Sequence, residues 1–223
     1  ASVAGHSLGE LSALTAAGAL SFEDGLRLVR KRGELMKRAG EYAPGSMAAI
    51  LGVDIATLDK VCAEASAENE IAQVANDNCP GQVVISGAKA AVERAMAGAK
   101  AAGAKRAMPL AVSIAAHSPL MASIQKEWNQ AVDAVAMNVP KIPVIGNVYA
   151  SVLNTAEDAR ADIKAQMQSR VRWTDSVKAM SGMGIKAFVE VGTGTVLGGL
   201  VKRIVSDAVN YPLGAPQDFT ALE

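Results

Sequence analysis

The sequence is poor in aromatic residues, which make up 4% of its 223 positions, and it carries only two histidines and two cysteines. So few rings leave the core to Ala, Val, Ile, Leu and nine Met, the last a flexible filler of irregular gaps. Cys62 and Cys79 are too few for a disulfide scaffold and read as reduced thiols of a cytoplasmic protein. With His6 and His117 alone, and no close Cys/His cluster, no metal site is expected. Net charge is missing as well: 22 basic residues face 22 acidic ones. Nucleic acid or a membrane surface would call for a concentrated excess of Lys and Arg, so neither is expected as a partner. No run of 18 apolar residues escapes a charge or a turn former, which argues against a transmembrane helix. Residues 1–10 have no basic region and no long apolar stretch, and are not read as a signal peptide.

What is present is a folding sequence. Half of it is hydrophobic and 20% charged, a balance that excludes a disordered chain. The length suits one large domain, or a principal domain carrying a smaller one. Apolar stretches at helical and strand periods alternate between Gly and Pro punctuation, the pattern of an α/β protein. Ser21-Phe22-Glu23-Asp24 reads as an N-cap with an acidic third residue, opening a helix that ends near Gly40 and Pro44-Gly45. From Ser46 the order becomes strand, helix, strand, strand, helix, strand, which is the split βαβ or ferredoxin-like unit. The expected organisation is a core of residues 1–45 and 113–223 with a parallel sheet, interrupted by a small domain at 46–112. In the second half, 161–180 reads as mostly helical with a break near Ser169, and 186–191 as a buried strand. After Asn210 no period is visible.

Gly5-His6-Ser7-Leu8-Gly9 satisfies G-x-S-x-G. In that pattern the serine sits on a sharp strand-to-helix turn, where flanking glycines let the backbone bend. Its hydroxyl stands at a helix N-terminus, and the backbone N–H of Leu8 points at a developing oxyanion. A nucleophilic serine needs a base. His6 adjoins Ser7 and projects differently, which leaves His117, in a loop ahead of a helix. An α/β-hydrolase would place its histidine late in the chain, after the acid. Here 106 residues follow His117, so that order fits poorly; a backbone carbonyl can orient a histidine in place of a triad acid. Gly192-Thr193-Gly194 meets neither a dinucleotide nor a P-loop spacing and reads as a tight strand–helix turn.

Several ordered segments resemble the malonyl-CoA:acyl carrier protein transacylases. They are Gly5–Glu10, Ala17–Asp24, Leu28–Gly33, Asn78–Gly87, His117–Met121, Pro143–Val148, Val171–Thr174, Val189–Gly194 and Lys202–Ile204. Together they span essentially the whole chain in collinear order. The resemblance implies a hydrolase-like core with a ferredoxin-like insertion, and a ping-pong transfer that needs no cofactor. It implies that Ser7 takes the malonyl group from malonyl-CoA with His117 as base, and that the pantetheine thiol of acyl carrier protein then receives it, for fatty-acid synthesis. It implies further that Arg32 binds the malonate carboxylate, that the main-chain carbonyl of Gln166 holds the histidine, and that Asn78 and Gln82 lie in a loop near the pocket. Independently of the resemblance, Arg32 is one of several basic residues on its helix, with 27, 30, 31, 37 and 38. A bidentate guanidinium would suit a free carboxylate and reject neutral acyl chains.

Two features depart from the family pattern. Ile114-Ala115-Ala116 replaces the Gly-Pro-Phe often seen before the histidine, which leaves a polyketide-type acyltransferase with another extender as a neighbouring reading. The family also carries a long segment before the serine elbow, including a glutamine that supplies a second oxyanion N–H. The sequence reads as lacking it, so the expected further partner is a missing N-terminal segment or chain. The competing classes are a G-x-S-x-G thioesterase or esterase, for which a carboxylate clamp at Arg32 has no use, and a degenerate non-catalytic domain.

Overall fold

The computed structural model describes residues 1–222. Its elements run β1 (Val3–Ala4), α1 (Gly9–Ala16), α2 (Phe22–Tyr42), β2 (Gly45–Leu51), α3 (Ile55–Ala65), β3 (Ala72–Cys79), β4 (Gln82–Ala88), α4 (Lys89–Ala101) and β5 (Arg106–Pro109). After a 3-10 turn at Pro119–Met121 follow α5 (Ala122–Asp133), β6 (Val144–Ile145), β7 (Val152–Leu153), α6 (Ala156–Gln166), α7 (Trp173–Gly182), β8 (Ala187–Val191), α8 (Val196–Ile204) and β9 (Val209–Leu213). No helix among the described residues is long and apolar enough to cross a membrane.

Three sheets organise these elements. One has the order β1-β6-β7, with β1 and β6 parallel and β6 and β7 antiparallel. The second has the order β3-β4-β2-β5 with every neighbour antiparallel. The third pairs β8 with β9 in parallel. The expected parallel core sheet is therefore mixed, because the short reversal after β6 returns as an antiparallel strand.

Helix α2 shows how local sequence sets the site. The Ser21 hydroxyl accepts the Asp24 N–H at 3.1 Å, and Glu23 and Asp24 fill the first turn, where acidic side chains favour the helix dipole. Its buried residues are Gly25, Leu28, Arg32, Leu35 and Ala39. That spacing of three and four residues is one helical stripe, and Arg32 lies on it. Helix α1 buries Glu10 beside Leu11, Ala13 and Leu14. Helix α6 buries Ala159, Asp162, Ile163 and Gln166. Trp128, Ile124 and Met121 join these helices in one core, with the Trp128 indole N–H donating to the Ile163 carbonyl at 2.7 Å. Helices α3 and α4 pack together on one face of the four-stranded sheet as a second core.

Some elements differ from their sequence reading. Helix α2 passes through Gly40 and ends at Tyr42. The break expected near Ser169 is present, between the end of α6 at Gln166 and the start of α7 at Trp173, because the main chain there is taken by other partners: Val171 N–H donates to Ala75 O and Arg172 N–H to Asn147 O. The strand expected to be buried, β8, covers only one face. Phe188 packs towards α7 and α8, while Val189 and Val191 are exposed. The stretch beyond Val209, without visible period, forms β9 through pairing with β8. Gly192 and Gly194 take positive φ, consistent with a tight turn before α8.

Candidate active site

Ser7 sits between β1 and α1 with φ of 54°, in the left-handed region that non-glycine residues seldom occupy. The bend brings two turns of backbone together: a Cβ on Gly5 would lie 1.9 Å from the Gly9 carbonyl oxygen. Only glycine fits there. The Asn147 side chain holds the bend, its Oδ1 accepting the Ser7 N–H and its Nδ2 donating to Gly5 O, both at 2.8 Å. Asn147 lies just beyond β6, the strand that pairs with β1.

His117 also has a left-handed backbone, φ 58°, and is buried. Its Nε2 is 2.7 Å from Ser7 Oγ and its Nδ1 is 2.9 Å from the Gln166 carbonyl oxygen. A carbonyl only accepts, so Nδ1 carries the proton and Nε2 presents its lone pair to the serine hydroxyl. Burial lowers the imidazole to about 4, with Arg32 and His6 adding to the shift and the Gln166 carbonyl opposing it. Neutral His117 is thus ready to accept a proton. The small sheet contributes one contact: Gln73 of β3 donates to His117 O at 2.7 Å and to Gln168 O at 3.2 Å.

The buried Arg32 guanidinium donates through Nη2 to Ser7 Oγ at 2.9 Å and to Gln166 Oε1 at 3.2 Å. Its Nε is buried without a partner, so donor capacity for a carboxylate remains. Burial lowers the guanidinium below its usual value, against the pull of Glu10. Gln166 also donates through Nε2 to Ser7 O at 2.9 Å and to the Glu10 carboxyl. Among the described residues no acceptor takes the Leu8 N–H, which leaves it for an oxyanion.

The structure thus brings Ser7, Leu8, Arg32, His117 and Gln166 to one place. Asn78 stands one step away, its Oδ1 2.8 Å from His6 Nε2, and the His6 ring tilts onto Trp173 with centroids 5.6 Å apart. Gln82 is not brought in: its Oε1 accepts from Arg203 Nη1 at 2.6 Å, because the turn at Pro80-Gly81 directs it towards α8. Sequence reasoning missed Asn147, Glu10 and Asp162. The last two carry a readable signal, a charge on the apolar stripe of a helix, whereas Asn147 in its short loop carries none. A cleft of about 500 Å³ opens near Glu190, Lys202 and Tyr211, and none of its lining residues belongs to the site. Among the described residues no group of three His, Cys, Asp or Glu side chains could hold a metal ion.

A simple esterase hands its acyl group to water and gains nothing from a guanidinium against its nucleophile. The α/β scaffold and this site define an acyltransferase instead. Residues 1–212 match the model of the acyl transferase domain, and the chain belongs to that family. It is 44% identical over 221 residues to the malonyl CoA-acyl carrier protein transacylase of Haemophilus influenzae, covering 99% of this chain and 70% of that protein. An acyl carrier protein S-malonyltransferase from Vibrio cholerae superposes with a TM-score of 0.94 at 41% identity, over 99% of this chain and 72% of that one. A malonyl-transacylase solved in complex with a type II PKS acyl-carrier protein superposes equally well, with a TM-score of 0.94 at 41% identity over 99% of this chain and 72% of its own.

Proposed function

We propose that this enzyme moves a malonyl group from malonyl-CoA to the phosphopantetheine thiol of an acyl carrier protein, for fatty-acid synthesis, through a malonyl ester on Ser7. The observation that carries the reading is the line Gln166 O, His117, Ser7 with Arg32 2.9 Å from the same hydroxyl. Ser7 Oγ attacks the thioester carbonyl as its proton passes to His117 Nε2. The Leu8 N–H stabilises the resulting oxyanion. When the intermediate collapses, the CoA sulfur leaves and takes the proton from His117. The carrier thiol then gives its proton to His117, attacks the malonyl-serine and releases Ser7 Oγ, which recovers the proton. Arg32 binds the free carboxylate of the malonyl group throughout and sets the acyl specificity.

Serine is the acyl carrier, so two substrates complete the reaction without a cofactor, and the reading carries a cytoplasmic location. Asn78 belongs to the pocket wall through His6. The small unit is a ferredoxin-like domain at 46–112, inserted in a hydrolase-like core of 1–45 and 113–223. Its strand order β3-β4-β2-β5 and the two helices on one face support that description.

Intact-mass analysis tests the proposal. Malonyl-CoA should leave a malonyl adduct that is absent in Ser7→Ala and is cleared by holo acyl carrier protein. In the same assay Arg32→Ala should lose about ten- to a hundredfold of the preference for malonyl- over acetyl-CoA, in keeping with a charged hydrogen bond. No adduct, or an adduct that passes only to water, would overturn the reading.

A further inference from the structure

Beneath Ser7 lies a pair of carboxyl groups that the acyl-transfer steps do not use. Glu10 of α1 is 0% exposed and Asp162 of α6 is 2% exposed. The two converge on one backbone donor: Asn147 N–H lies 3.1 Å from Glu10 Oε1 and 3.0 Å from Asp162 Oδ2. Asp162 Oδ2 also accepts the Val148 N–H at 3.2 Å, and Glu10 Oε2 accepts from Gln166 Nε2. All of these donors are neutral amides. The charged or titratable groups on the neighbouring elements are Arg32 of α2 and His117 of the loop before α5. Arg32 Nη2 is directed to Ser7 and Gln166, and His117 is neutral.

Two negative charges held this close in a buried site repel and lose their hydration, and a single shared proton relieves both costs. One remaining negative charge balances Arg32. Burial, and after it the charge of Asp162, pushes Glu10 well above the usual carboxylate range.

We propose that Glu10 and Asp162 share one proton, with the Glu10 carboxylic O–H donating to the Asp162 carboxylate, and that this pair positions the acyl-transfer site. Both gripping residues hang from it. Asn147, held through its backbone N–H, clamps the Ser7 bend, and Gln166, held through its side chain, fixes His117 and Arg32. The pair touches neither substrate nor reacting atom, so Glu10 and Asp162 are positioning residues. A doubly charged pair would compete with the substrate carboxylate for Arg32. This last role rests on the malonyl-transfer reading; the shared proton does not.

Infrared spectroscopy of the whole chain at neutral pH tests the proton directly. A carboxylic-acid C=O band should be present in the wild type and absent from Glu10→Gln. In Asp162→Asn it should persist at a shifted frequency, because burial still holds Glu10 protonated while its O–H has lost the carboxylate acceptor. Thermal melting across pH gives a second readout. A folded-state value raised above that of the unfolded chain favours folding fully below pH about 4.3, and that contribution is lost as pH rises through the raised value. Glu10→Gln should remove that slope. For positioning, Glu10→Ala should slow Ser7 acylation by malonyl-CoA by up to about 10²-fold, and Glu10→Gln should restore most of the loss. Absence of the acid band, or parallel melting profiles in wild type and Glu10→Gln, would overturn the shared proton. Equal losses in the Ala and Gln variants would overturn the positioning role. If Glu10→Ala does not fold, Asp162→Asn decides by the band and by its acylation rate, which should stay above one-tenth of the wild type. Should the wild type itself take no malonyl group, the transfer reading fails while the infrared and melting results still judge the pair.

Discussion

His117 is kept neutral by its surroundings. A solvent-exposed imidazole would gain its proton near pH 6.5, whereas burial holds this one at about 4. For the proposed acyl transfer the consequence is direct, since only a neutral ring can take the Ser7 proton. The acid limb of kcat/KM, which reports groups of the free enzyme, should fall near pH 4 in a pH–rate profile. Stability follows with the same sign. The unfolded chain binds the proton first as pH falls, so the contribution of His117 is present above pH about 6.5 and is lost through about 4. His117→Gln should flatten that part of the melting profile. An acid limb at 6.5 would mean that water reaches the ring. Arg32 poses the opposite case at this scale, a charge retained in the core because its donors meet Ser7 and Gln166. The thiols of Cys62 and Cys79, both buried and free, show burial outweighing nearby charge: with Asp59 adding to it and Arg170 opposing, burial pushes Cys62 up to about 12, which leaves it unreactive.

At the scale of the element, the turn from β1 into α1 concentrates the constraints. Ser7 is left-handed, and the Gly5 Cα hydrogens face the Gly9 carbonyl with no room for a methyl group. Gly5→Ala should therefore lower stability by about 3 kcal/mol or more, as overpacking against backbone does, and differential scanning calorimetry should show it. Gly9→Ala meets nothing within 4 Å and should melt close to the wild type. The two glycines of one motif thus have different work, which the motif alone does not reveal. The helices carry a second lesson. Glu10, Arg32, Asp162 and Gln166 each occupy a position on a buried stripe that the period assigns to an apolar residue. The period sets Arg32 apart from the exposed Arg27, Arg30 and Lys37, but Lys31 and Arg38 flank the same stripe half-buried, and only the fold shows which guanidinium reaches Ser7.

At the scale of the whole molecule, the four-stranded unit is joined to the rest by a seam of polar contacts. Asp77 N–H donates to Val171 O at 2.9 Å, Val171 N–H to Ala75 O at 2.8 Å, and Thr174 Oγ1 to Asp77 Oδ1 at 2.6 Å. Gln73 extends the seam to the His117 backbone. Thr174→Val keeps the shape and leaves the buried Asp77 carboxyl without that donor. It should cost about 1–3 kcal/mol, read as a lower urea midpoint at unchanged slope. By itself the sequence determined the α/β class, the βαββαβ order, the elbow serine and its pairing with the one other histidine. These are legible without the fold: periods, caps, turn residues and a five-residue motif are local in the chain, and with two histidines only one is left as its base. Tertiary structure alone decided the mixed sheet, the pairing of β8 with β9, the clamp by Asn147, the departure of Gln82 towards Arg203 and the meeting of Glu10 with Asp162. Each of these rests on contacts between residues far apart in the chain, and neither periodicity nor propensity records who the partner will be.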